Sequence, residues 1–404
     1  MGAGFGGPVR AGVEDEKGSP VDADVLKNLT DPAILFFAIG VFVGVVRSNL
    51  EIPAPVAKFL SLYLLMALGF KGGQALGDAG LGGDGLQVVG TALLLALIIP
   101  ALAFVVLRKR VNQFDAAAIA ATYGSVSAVT FVTASQFLAS RGDEAGGYLT
   151  VALVLMESPA IIMAVLLATW VRSRQAAVAP AGSQLATVDA EPALVSATST
   201  AAGDATTLVP EADHAAGQLA PTTGNGHSPA PAGSPGAPGT VLSVREVLRE
   251  AFTDGAHLLL IGSMVVGAVS GPAGGEAMAP FVEGLFKGLL AFFLLEMGLL
   301  VARQLREVRD VGPFLVLFGL VTPLVGASLA LGFSTLLGFS VGDATLLAVL
   351  AASGSYIVVP AVVRYAIPEA RPSRYFTMAL AVTFPFNIIL GIPLYYAAAQ
   401  VLLG

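Results

Sequence analysis

The sequence predicts an all-α integral membrane protein: ten transmembrane helices as two inverted repeats of five, with helices 4 and 9 discontinuous. Three observations lead there. The 404 residues are 55% hydrophobic and only 12% charged, against roughly 25% charged in a soluble domain. Apolar runs near the length of about 20 residues that spans a bilayer occur at 32–47, 55–77, 86–107, 114–140, 147–171, 252–270, 279–302, 311–337, 342–366 and 373–402. Features of the first five runs then recur, in order, in the second five.

The first run opens after Leu29-Thr30-Asp31 and the sixth after Phe252-Thr253-Asp254. Gly40 and Gly44 lie four apart in run 1, as Ser263 and Gly267 do in run 6, and small residues at that spacing let helices approach closely. In run 2, Lys71 of Gly69-Phe70-Lys71-Gly72-Gly73 is expected to snorkel outward; in run 7, Glu296 lies deeper. Pro100 in run 3 matches Pro323 in run 8, each a kink. Run 4 follows Asp115 and is interrupted at Gly124-Ser125-Val126-Ser127; run 9 follows Asp343 and is interrupted at Ser353-Gly354-Ser355. Asp31, Asp115, Asp254 and Asp343 read mainly as N-caps. Runs 5 and 10 carry mid-span prolines, Pro159 and Pro385, each followed shortly by Ile-Ile. Because five is odd, the second set enters the membrane upside down relative to the first.

Between the sets, residues 173–242 are rich in Ala, Pro, Gly, Ser and Thr and nearly devoid of aromatic or long apolar side chains. Such a segment cannot bury enough surface to offset its ordering entropy and reads as a disordered cytoplasmic linker. The predicted organisation is therefore an extracytoplasmic N-terminal tail (1–28), a first repeat (29–172), the linker (173–242) and a second repeat (243–404). Lys and Arg crowd the loops on one side, including Arg108-Lys109-Arg110, Arg172, Arg174, Arg303, Arg306, Arg309, Arg364, Arg371 and Arg374. The positive-inside rule makes that side cytoplasmic and puts both termini outside. The segment from Arg303 to Asp310 then reads as a solvated cytoplasmic loop. The N-terminal tail lacks the charged, apolar and cleavage regions of a signal peptide, and Gly2, Gly4 and Gly7 match a nucleotide fingerprint without its flanking strand and helix.

There is no cysteine, and His214, His227 and His257 are scattered, so neither thiolate chemistry nor a histidine-rich metal centre is indicated. No nucleophile–base pair stands out, no cofactor is called for, and no nucleic-acid partner is expected. The chemistry concentrates at mid-membrane. Ser125 to Ser127 lie roughly 17–20 Å into run 4 at 1.5 Å per residue, and Ser353 to Ser355 lie equally deep from the opposite face. Glu157 and Asn387 reach the same level. An interrupted helix offers backbone N–H groups and a positive partial charge at the start of its second half. Two such ends, lined by serine hydroxyls, suit a small oxyanion that must also leave. Irregular backbone at this depth is tolerated only around a cavity or inside protein. A mid-membrane carboxylate such as Glu157 is functional by default, and beside an anion it needs a proton or a sodium ion; Thr383 and Asn387 add neutral oxygens of the kind hard cations take. Tyr356 adjoins the second interruption as a wall residue or as packing.

The chain resembles the sodium-dependent bicarbonate transporters of cyanobacteria and other bacteria. The resemblance spans nearly all membrane segments and rests on Leu50-Glu51-Ile52-Pro53, Ser61-Leu62-Tyr63-Leu64-Leu65, Gly69-Phe70-Lys71-Gly72-Gly73, Thr122-Tyr123-Gly124-Ser125-Val126-Ser127-Ala128-Val129-Thr130, Met156-Glu157-Ser158-Pro159-Ala160, Ser355-Tyr356-Ile357 and Thr383-Phe384-Pro385-Phe386-Asn387-Ile388-Ile389. It implies a homotrimer in a bacterial inner (plasma) membrane, a core of helices 3–5 and 8–10 moving against a gate of helices 1–2 and 6–7, and inhibition by a cytoplasmic PII-like protein. On that reading Gly124, Ser125, Ser127, Ser353, Gly354, Ser355 and Tyr356 hold bicarbonate, and Glu157, Ser158, Thr383 and Asn387 serve sodium. Two other readings stay open at this point: a carrier of another small anion, and a membrane sensor that binds without translocating.

Overall fold

A computed structural model describes residues 30–80, 82–178 and 255–404. The expected N-terminal tail, Asp254 and nearly all of the expected linker lie outside the described residues. Apart from 176–178, the described residues fall within one compact unit made of 1–175 and 241–404. Among the described residues all regular elements are helical: α1 (Pro32–Val45), α2 (Ala54–Ala79), α3 (Gly83–Leu107), α4 (Gln113–Gly124), α5 (Ala128–Ala139), α6 (Tyr148–Leu155), α7 (Glu157–Val178), α8 (Gly255–Ala279), α9 (Phe286–Gln304), α10 (Val308–Val311), α11 (Pro313–Leu337), α12 (Val341–Ala351), α13 (Val358–Ala366) and α14 (Pro372–Leu403).

Among the described residues, seven helical stretches are long and apolar enough to cross a membrane. The ten expected runs map onto them with three differences. α1 is short, and α12–α13 is too interrupted to count as one long helix. The sixth and seventh runs join into one helical stretch, Gly255–Gln304, with no loop at 271–278. The turn is made instead at Gly271, whose φ of 58° lies in the left-handed region, followed by Pro272, which has no N–H to offer the preceding turn. Contacts along α2 follow the reversal. Gly69, Gly73 and Gly77 lie against Leu260, Met264 and Ala268 in ascending order, yet Phe281 has returned beside Tyr63, whose hydroxyl donates to its carbonyl. The residues Gly274-Gly275-Glu276, which fall between the two runs, are the start of the returning helix.

Two helix pairs form by close backbone approach. α1 packs on α9, where a Cβ on Gly40 would overlap the Leu295 carbonyl and one on Gly298 the Phe37 carbonyl. α2 packs on α8 through Gly73 against Met264 and Gly267 against Phe70, backbone to backbone in the same way. Small residues make both approaches possible, as the four-residue spacings in runs 1 and 6 suggest.

Asp31 caps α1 as expected, accepting from the Ala33 N–H at 2.8 Å. The same expectation fails for Asp115 and Asp343. Asn112 and Ser340, each three residues earlier, take the caps, accepting from the Phe114 and Asp343 N–H groups respectively. The two aspartates are thereby released to reach across the fold. Asp115 accepts from the Arg371 N–H (2.8 Å) and the Arg374 guanidinium (2.9 Å) at the start of α14. Asp343 accepts from the Gly146 N–H (2.8 Å) and the Tyr148 hydroxyl (2.6 Å) at the start of α6. Each interrupted helix is thus clasped to the segment that follows the other one.

Candidate functional site

The site grows from two failures of helix. α4 stops at Gly124 because Ser125 (φ −103°, ψ −179°) and Ser127 (φ −107°, ψ 109°) are extended. Serine hydroxyls compete for backbone groups and favour caps over helix interiors, and Ser127 behaves so: its Oγ accepts from the Thr130 N–H (3.2 Å) and hydroxyl (2.8 Å), capping α5. Gly124 sits so close to α3 that a Cβ there would come within 2.7 Å of Pro100 Cγ. On the other side, α12 ends at Ala351, the Ser353 hydroxyl donates back to Val349 (2.6 Å), and Ser355 Oγ accepts from the Val359 N–H (3.3 Å) in the first turn of α13.

These two interruptions meet. The Ser355 N–H donates to the Thr122 carbonyl at 2.9 Å, a backbone bond between segments more than 200 residues apart. The Ser127 hydroxyl donates to Tyr356 Oη at 3.4 Å. Tyr356 stacks edge-on against Phe384, which does the same against Phe37 of α1. Of the expected anion ligands, Gly124, Ser125, Ser127, Ser353, Gly354, Ser355 and Tyr356 all belong to this crossing, and all are buried. Ser125 is 1% exposed, yet its Oγ has no hydrogen-bond partner among the described residues. A buried hydroxyl without a partner is costly and calls for an explanation.

α14 runs past the crossing with π-helical turns at Met378–Thr383 and Asn387–Gly391, either side of Pro385; such turns are rare and frequent at functional sites. Thr383 and Asn387 sit at the edges of these turns and both reach the crossing. The Thr383 hydroxyl donates to the Gly319 carbonyl (2.7 Å) and lies 2.6 Å from the Tyr123 hydroxyl. The Asn387 amide donates to the Ala352 carbonyl (2.8 Å), where α12 ends, while its oxygen accepts from Tyr395 (2.8 Å). Each oxygen keeps one lone pair after these bonds are counted.

Glu157 and Ser158 stand in the first turn of α7. The Glu157 carboxylate lies against the imidazole of His257 on α8, both side chains being mostly buried. His257 read as scattered in the sequence; nothing in its spacing connects it to a residue a hundred positions away. Tyr123 and the Thr122 carbonyl were likewise not singled out, although both lie inside the string that carries the interruption. Glu296 is half-buried in α9, with one carboxylate oxygen lacking a hydrogen-bond partner among the described residues. Lys71 pairs with Glu283 at 3.2 Å, both substantially exposed. The Arg172 guanidinium bonds Glu369 at 2.8–2.9 Å and holds its carboxyl below the usual carboxylate range.

A family model described as the Na+-dependent bicarbonate transporter superfamily matches residues 32–400, which takes in every element of the crossing. Among curated proteins, none matches the chain.

Proposed function

The chain belongs to the Na+-dependent bicarbonate transporter superfamily, a multi-pass membrane transporter by family and by its apolar helices, and from that premise we propose that it imports bicarbonate together with sodium through the crossing of the two interrupted helices. The observation that carries this reading is the Ser355–Thr122 backbone bond beside the Ser125 hydroxyl, which has no partner among the described residues. Bicarbonate takes its hydrogen bonds from Ser125, Ser127, Ser353 and Ser355 and from the N–H groups that open α5 and α13, with Gly124 and Gly354 letting the anion approach backbone and Tyr356 closing one wall. No lysine or arginine belongs to that set, and a carboxylate beside the anion repels it unless it is neutralised. Sodium does that, taking oxygens from Glu157, Ser158, Thr383 and Asn387.

Coupling then follows from Coulomb's law. Two unit charges about 4 Å apart attract by about 4 kcal/mol at an effective dielectric of 20, roughly a thousandfold in affinity. By linkage each ion raises the other's affinity by the same factor. Neither is carried well alone.

The larger architecture of the proposal is ten spans in two inverted repeats. The reciprocal pairs α1–α9 and α2–α8 support it, as do the reciprocal clasps of Asp115 and Asp343: each feature recurs with the two sets exchanged. In an elevator-like cycle the crossing and α14 travel against α1, α2, α8 and α9. Assembly as a homotrimer in a bacterial inner membrane, with both termini outside and a PII-like protein on the cytoplasmic face, completes the proposal.

Radiolabelled bicarbonate flux into sealed vesicles, with and without an inward sodium gradient, tests it. Accumulation only with sodium supports the reading; sodium-independent flux, or ligand binding with no flux, counts against it. In the same assay Glu157→Gln, which keeps the shape and removes the charge, should abolish sodium-dependent uptake. Undiminished uptake by this variant would remove Glu157 from the coupling site.

A further inference from the structure

Two cavities meet at the end of the molecule where α3 finishes. The first is an apolar groove of about 570 Å³ between α3 and α7, walled by Phe104, Val105, Met163, Leu166 and Trp170. The second is a polar cavity of about 580 Å³, bounded by Arg108, Lys109 and Arg110 on one side and by 311–315 and Arg374 on the other. Arg108 lines both. The groove follows α3 from Ala101 to Arg108, roughly 10 Å at 1.5 Å per residue.

The cations around this junction are not equivalent. Arg374 is taken by Asp115 and Arg172 by Glu369. Arg174 lies over the Trp170 ring at 4.3 Å, and tryptophan is enriched at membrane–water interfaces. Arg108, Lys109 and Arg110 have no carboxylate within ion-pair distance among the described residues; Arg110 leans on the Phe314 ring at 5.5 Å. Among the described residues, three uncompensated cations therefore face a polar cavity whose neighbour is an apolar slot.

We propose that this pair of cavities holds one anionic phospholipid, its phosphate on Arg108, Lys109 and Arg110 and an acyl chain along the α3–α7 groove. A free phosphate would use the cations and leave the slot without a role. A zwitterionic lipid would fill the slot while its own cation opposed the three on the protein. Only a lipid of net negative charge matches both halves, and basic pockets between helices on the cytoplasmic side bind such headgroups.

The test uses the full chain reconstituted in phosphatidylcholine containing one part in about five of phosphatidylglycerol, a composition chosen for roughly physiological surface charge. After extraction, the lipid that stays bound is identified by native mass spectrometry. Phosphatidylglycerol should be retained in preference to phosphatidylcholine. Neutralising two cations in the Arg108→Gln/Arg110→Gln double variant should cut that retention roughly fivefold per charge removed. Val105→Trp, which fills the slot and leaves every cation in place, should also lower it; the two variants fail for different reasons, so one stands if the other does not fold. Millimolar inorganic phosphate should not displace the lipid. Equal retention of the two lipids, retention indifferent to both variants, or displacement by inorganic phosphate would each overturn the proposal, the last pointing to a soluble anion.

Discussion

Replacing Ser355 by proline should stop sodium-driven bicarbonate uptake while the chain still folds into the membrane. Its N–H is the donor that joins the two interruptions, at 2.9 Å to the Thr122 carbonyl. Proline deletes that donor and strands the carbonyl of a fully buried residue, at about 1–3 kcal/mol, up to roughly 150-fold in the occupancy of the crossing. No helical ladder is cut, because residues 352–357 lie between α12 and α13. Ser355→Ala separates backbone from hydroxyl. It keeps the bond to Thr122 and loses the hydroxyl both as a donor to the anion and as the acceptor for the Val359 N–H, each about 0.5–1.5 kcal/mol, so uptake should fall but persist. Initial rates normalised to protein in the membrane give the comparison. If proline were tolerated as well as alanine, the backbone bond would not be what assembles the site.

Gly298→Leu should be the most destabilising single change on the α1–α9 pair. A Cβ at 298 would overlap the Phe37 carbonyl and come within 2.9 Å of Gly40 Cα. Both are backbone atoms, which cannot swing aside as a side chain would. Overpacking in a yielding core costs about 1–3 kcal/mol; here the helices must separate, and more than about 3 kcal/mol is expected. The melting midpoint of the detergent-solubilised protein should drop by several degrees. Gly90→Leu on α3 provides the control: nothing lies within 4 Å of a Cβ there, and an exposed position of that kind stays within about 0.5 kcal/mol. A normal midpoint for Gly298→Leu would mean that α1 and α9 do not approach so closely.

Much of this was legible in the residues, and the reasons for the rest are physical. Span length is set by bilayer thickness, so hydropathy finds the rods. Ser and Gly clusters inside such rods find the interruptions, because those residues take backbone bonds or shed helical geometry. The gap left between the runs 252–270 and 279–302 has a related cause: Gly and Pro interrupt the apolar pattern there, whereas one glycine in the left-handed region followed by proline turns the chain without a loop. Depth arithmetic brought Ser125, Ser353 and Asn387 to one height, but height does not give rotation about a helix axis. Hence Glu157 shared their level, and its contact with His257 on α8 was not foreseen. Asp115 and Asp343 looked like caps because both begin helices. The signal against it was present: Asn112 and Ser340 stand three residues ahead of each, competing for the same role.

The central claim is that an anion and sodium occupy the crossing together, against Ser125. The chain contains no cysteine, so Ser125→Cys would carry its only thiol, and the rate of its modification by a small thiol reagent reads occupancy directly. With bicarbonate and sodium both present at about ten times their dissociation constants, modification should slow roughly tenfold, while either ion alone should protect far less. A rate that ignores both ions, or equal protection by bicarbonate with and without sodium, would contradict the account.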